Sequence, residues 1–169
     1  MINNFFNNLE FLLYFFVLIL PLLNAIILGF FGKKINTYKS STITSLCHSL
    51  AFALSGCLFS SIVLDNTACY FTIHCVFINK PLGFIFDSRS VILICVILLI
   101  AIIVHIFVIE NYYMLKNLYL IMVYISLVTF FSIILVTIEN FIISIISFQC
   151  IIILTYFFLD FLFSFNFWA

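Results

Sequence analysis

Of the 169 residues only six are Asp or Glu, six are Lys or Arg and three are His, so the groups able to hold or pass a proton are quickly found. Three of the candidates lie on one stretch, Glu139 to Trp168, reading ENFIISIISFQCIIILTYFFLDFLFSFNFW. Glu139 and Asn140 open it, Gln149 stands near its middle and Asp160 near its end. A polar group inside an apolar span is costly and is by default a functional candidate. Gln149 and Asp160 are eleven residues apart, close to three whole helical turns, so they share a helix face. Ser144 and Thr155 have the same separation but face nearly the opposite way. Two polar stripes are expected of a helix packed by protein on more than one side. The fourth candidate is His105, near the boundary of another apolar run, where an imidazole titrates close to neutral pH and can relay protons. Gln149, His105, Asp160 and Glu139 are therefore the candidate functional residues.

Each has a plainer reading when taken alone. Gln149 suits a hydrogen bond between helices, the usual work of an intramembrane amide. Asp160 suits a position reaching the inner interface. His48, His74 and His105 read as separate packing residues, too distant in sequence and topology to form a ligand set. Asp87-Ser88-Arg89-Ser90 has the pattern of a capped helix start, with Asp87 as cap and Arg89 as a neighbouring cation. Asn140 has the same structural role at the head of the last helix. No Gly-rich phosphate loop, nucleophile elbow or metal-ligand spacing occurs, so no catalytic residue, cofactor site or metal site is expected.

Composition sets the elements that must position these groups. The chain is 67% hydrophobic and 7% charged, with no net charge. That leaves too little polar surface for a soluble domain and no basic face for nucleic acid. The six cysteines read mostly as small apolar fillers, with Cys69 and Cys75 close enough in one loop to pair. Phe, Ile, Tyr and Asn are abundant while Gly and Ala are scarce, as in an AT-rich organelle genome. The spacing predicts one domain over 1–169, an all-α integral membrane bundle of about five transmembrane helices: 11–31, 43–64, 90–109, 118–138 and 141–163. A bilayer core needs roughly 20 apolar residues per helix, which each run supplies. Met1 to Glu10 is a polar start without the cations of a secretory signal, expected to be retained. Between the second and third spans, Ala68 to Phe77 and the turn signal Asn79-Lys80-Pro81-Leu82-Gly83 predict a short surface hairpin. Lys33, Lys34 and Lys39 in the first short connection place it on the inner side, the hairpin outside and the last residues inside.

Taken in order, the motifs carry more than they do singly. LPLLNAIILGFFG (Leu20 to Gly32) is followed by FDSRSVILICVILLIAIIVHIFVIENYYM (Phe86 to Met114), then YISLVTFFSIILVTIENFIISIISFQ (Tyr124 to Gln149) and Thr155-Tyr156. This succession resembles the N-terminal part of subunit five of respiratory complex I, the antiporter-like membrane subunit of NADH:ubiquinone oxidoreductase. Val104-His105-Ile106-Phe107, Tyr113-Met114, Glu139-Asn140-Phe141 and Thr155-Tyr156 carry the resemblance, over nearly the whole chain. It implies a multi-pass protein of the mitochondrial inner membrane, embedded in lipid beside the other membrane subunits of the complex, with no flavin, iron–sulfur cluster or quinone of its own. Three departures stand out. The connector Glu110 to Met114 is longer than the family's. Phe148-Gln149 stands where the family has Trp-Glu, the Glu being its central acid on the proton path, and the resemblance makes Gln149, His105, Asp160 and Glu139 the proton-path candidates. The family also continues through many further helices carrying its proton-moving lysines, so a separate chain is expected to supply them. A structural remnant without a proton role, or a piece of an independent cation/proton antiporter, are the alternatives.

Overall fold

The computed structural model describes residues 2–65, 69–73, 82–112 and 117–166, with side chains over 12–62, 83–112 and 117–163. Five helices carry the fold: α1 (Ile2–Phe31), α2 (Thr37–Asp65), α3 (Ser88–Tyr112), α4 (Leu118–Thr137) and α5 (Phe141–Asn166). All five are long and apolar enough to cross a membrane. A 3-10 turn, Gly32–Lys34, joins α1 to α2, and strands β1 (Cys69–Ile73) and β2 (Leu82–Phe86) form an antiparallel hairpin before α3. The all-α bundle and its hairpin follow the sequence reading, with two shifts of boundary. Helix α1 begins at Ile2, so the polar start is helical. Helix α2 begins at Thr37 rather than 43. Its polar opening stays helical because the hydroxyls turn back onto their own helix: Ser40 and Ser41 donate to the Thr37 carbonyl, and Thr44 to that of Ser41. Leu82 and Gly83, read as turn, belong to the second strand, paired with Ile73 and Thr72. His74, Cys75, Lys80, Tyr113, Met114 and Lys116 lie outside the described residues, and the Cys69 side chain with them.

Helices α1 to α4 form a closed square, α1 against α2, α2 against α3, α3 against α4 and α4 back against α1, while α5 stands outside and packs chiefly on α4. Only 6% of the α5 span is buried, against 39% of the α4 span. The square has two apolar clusters. One, at the hairpin end, includes Tyr14, Val17, Leu58, Ile62, Phe86, Ile94, Leu98 and Ile133. The other, at the opposite end, includes Leu28, Val108, Leu118, Ile121, Met122 and Ile125.

Local chemistry fixes the ends. The Ser90 amide donates to Asp87 Oδ1 at 2.8 Å and the Asp87 amide to Ser90 Oγ at 2.9 Å, a reciprocal capping box at the head of α3. The bond from the Ser90 amide, more than any other influence, holds the Asp87 carboxyl below the usual carboxylate range. Arg89 is exposed beside it and contributes least to that shift. Asn140 Oδ1 accepts from the Ile142 amide at 3.0 Å and caps α5. The hairpin is held on the bundle by the Tyr14 ring against Phe86, centroids 4.1 Å apart, and by the Glu139 amide donating to the Gly83 carbonyl at 3.0 Å. A Cβ added at Gly83 would lie 2.5 Å from Glu139 Oε2, the movable end of that side chain. At the other end Gly32 lies under Tyr119, whose Cγ would be 2.7 Å from an added Cβ.

Candidate intramembrane polar site

The four proton-path candidates are not brought together. Glu139 is exposed at the hairpin end, and Gln149 and Asp160 are exposed along α5, where nothing among the described residues covers them. Gln149 makes no side-chain hydrogen bond to the described residues. His105 alone faces the interior, 1% exposed. The polar core lies inside the α1–α4 square, between the two apolar clusters. Asn24 on α1, Thr44 and His48 on α2, His105 on α3 and Ser126 and Thr129 on α4 are all buried. Four of them lie at one depth: Asn24, Thr44, His105 and Ser126 are seven or eight residues from the ends of their helices on the Gly32 side, while His48 and Thr129 are eleven residues in. At about 1.5 Å per residue the first four are roughly 10–12 Å into the bundle.

Hydrogen bonds tie this belt together. Asn24 Nδ2 donates to Ser126 Oγ at 2.7 Å, joining α1 to α4, and Ser126 donates in turn to the Met122 carbonyl at 2.8 Å. The Thr44 hydroxyl lies 3.9 Å from Met122 Sδ, bringing α2 against α4. His48 Nδ1 is 3.1 Å from the Thr44 carbonyl and His105 Nδ1 is 2.6 Å from that of Ala101. The two imidazoles meet across α2 and α3, their centroids 4.2 Å apart and their planes inclined at 40°. The reading of these histidines as too distant to act together is therefore corrected for His48 and His105. Helices α2 and α3 run antiparallel from the hairpin, and each imidazole lies seventeen residues from that end, His48 counted back from Asp65 and His105 forward from Ser88. Equal counts along antiparallel neighbours bring two side chains level, a signal that helix ends alone would have revealed. Among the described residues no group of three or more His, Cys, Asp or Glu could hold a metal ion.

A cleft of about 330 Å³ opens between α3 and α5, floored by α4 and lined by Ala101, Val104, Tyr124, Thr129, Ser132 and Thr155 among others. Its lining is mostly apolar, and it marks the gap left because α5 leans on α4 rather than closing the bundle.

No family model matches the sequence. Among curated proteins, NADH-ubiquinone oxidoreductase chain 5 of Arabidopsis thaliana is 30% identical over 133 residues, 76% of this chain and 20% of that protein. Chain 5 of Neurospora crassa is 30% identical over 156 residues, 90% of this chain and 22% of that one. This chain is similar to part of NADH-ubiquinone oxidoreductase chain 5. It spans about a fifth of the length of those relatives. A Neurospora crassa protein named "Probable intron-encoded endonuclease 4" is also 30% identical over 156 residues, 29% of its length. That similarity and the five apolar helices make this a multi-pass membrane protein, and its polar belt is the part of the fold where buried hydrogen-bonding groups concentrate.

Proposed function

We propose that this chain forms the N-terminal part of an antiporter-like, proton-translocating subunit in the membrane arm of mitochondrial NADH:ubiquinone oxidoreductase. The observation that carries the reading is its similarity to chain 5 relatives over 76% to 90% of its own length. The complex would oxidise NADH and reduce a quinone, with flavin, iron–sulfur clusters and the quinone held by other subunits. The remaining antiporter-like helices, on a separate chain, would pack on the outer face of α5. That face carries Ile142, Ile146, Ile153, Tyr156 and Phe157, each at least half exposed, in an organelle inner membrane whose lipid would cover the rest. Purification under mild detergent from inner mitochondrial membranes tests this. The chain should travel with NADH oxidation activity and with other membrane-arm subunits, and intact-mass measurement shows whether the further helices lie on a separate polypeptide. Recovery in a particle free of NADH oxidation would overturn the reading in favour of an independent cation/proton antiporter.

One observation favours a second reading, a scaffold within the same complex that has lost its proton role. Gln149 stands where the resemblance implies a glutamate, and an amide holds no charge with which to retain a lysine's proton.

A further inference from the structure

We infer that His48 and His105 form a single internal hydration site, in which a buried water molecule donates to the Nε2 atoms of both imidazoles; the inference deepens the membrane-arm reading and rests on it. The tautomers follow from the partners. A carbonyl oxygen only accepts, so the Nδ1 atoms facing the Thr44 and Ala101 carbonyls, at 3.1 and 2.6 Å, carry the hydrogens. In the neutral ring Nε2 is then a lone-pair acceptor. Both Nε2 atoms are buried and find no hydrogen-bond partner among the described residues, on side chains 0% and 1% exposed. Contact between the rings, at 4.2 Å, occupies their faces and leaves these edges unsatisfied. Asn24 Oδ1 on α1, at the depth of His105, is a third buried acceptor without a partner among the described residues.

Three acceptors in one belt need donors, and the hydroxyls of the belt have none to spare. The Thr44, Ser126 and Thr129 hydroxyls donate to their own helices, at the Ser41, Met122 and Ile125 carbonyls. Among the described residues no Asp, Glu, Lys or Arg side chain is buried. Water is the small molecule that brings two donors to two acceptors, and buried waters characteristically satisfy groups of this kind. A metal ion would require further ligands to complete its shell, and two imidazoles are all the described residues offer. Hydration here would give α1–α4 a proton-accepting group on the bundle axis, apart from Gln149 and the α5 stripe.

The test is a structure of the assembled, unmodified complex at a resolution that shows ordered water. Density within hydrogen-bond distance of both Nε2 atoms is expected, and in a His105→Phe complex that density should be lost. A donor side chain from another subunit, a metal ion, or an empty site in a map that shows other buried waters would each overturn the inference. The wild-type map decides even where His105→Phe fails to assemble. If the chain purifies without NADH oxidation activity, the membrane-arm reading fails, and the water density is then sought in the assembly in which the chain is found.

Discussion

Gln149 and Asp87 show how differently two polar residues of this chain stand. In the antiporter-like family the acid at the Gln149 position is implied to hold a charged lysine from a later helix. Removing one member of a buried ion pair costs about 3–5 kcal/mol, because the survivor is left buried and uncompensated. None of this chain's own cations compensates, since Lys33, Lys34, Lys39, Lys80, Arg89 and Lys116 all fall outside the spans or at their ends. If, as proposed, further helices from another chain pack on α5, they are expected to lack the matching lysine, to keep it neutral, or to pair it with another acid. A structure with a charged lysine against Gln149 and no acid nearby would end this account. Asp87 belongs to stability. Its folded pKa is depressed, so its contribution is present above the ordinary carboxylate value, near 3.9, and is lost as pH falls through the lower folded value. Asp87→Ala should cost about 0.5–2 kcal/mol, typical of a lost N-cap. Asp87→Asn should keep the cap and remove its pH dependence. Hydrogen exchange at the Ser90 and Val91 amides, followed against pH, reads both effects.

At the scale of elements, two glycines mark contacts of unequal tolerance. An added Cβ at Gly83 meets the far end of the Glu139 side chain, which can swing aside. At Gly32 it meets the Tyr119 ring near the backbone, with Tyr119 Cβ only 2.9 Å away, so α1 and α4 would have to part. Gly32→Ala should therefore destabilise by about 1–3 kcal/mol, the usual cost of overpacking, and Gly83→Ala by clearly less. Thermal unfolding of the two variants in the purified assembly gives the order, and equal losses would contradict it. Helix α5 shows the opposite condition, a span with almost no cover of its own.

For the whole molecule, five spans put the two ends of the bundle on opposite sides of the membrane, and the hairpin end carries Cys69. The lysines at 33, 34 and 39 assign the Gly32 end to the inner side. An impermeant thiol reagent should then reach Cys69 and Cys75 from outside in mitoplasts, while Cys47, Cys57, Cys95 and Cys150 lie within helices of the bundle. Labelling of Cys69 and Cys75 from the matrix side alone would reverse the orientation. The same arrangement puts the His48–His105 belt nearer the inner end of the square.

Much of this was legible in the residues before any coordinates. Apolar runs long enough to cross a bilayer, interrupted by lysines, turn residues and caps, fix five spans and a hairpin, because lipid leaves the backbone no alternative to closed helices. The caps at Asp87 and Asn140 depend on neighbours two or three positions away, so they too are local. The sequence pointed to α5 as the centre because its polar residues stand out against an apolar run, and composition cannot say which face of a helix meets protein. Tertiary structure decided that. Four helices close into a square that excludes α5, and within it Asn24, Thr44, His48, His105 and Ser126 gather within about one helical turn of each other in depth, from positions up to 102 residues apart. Their meeting depends on which helices are neighbours and on equal lengths from a shared end, and neither is written in any single span.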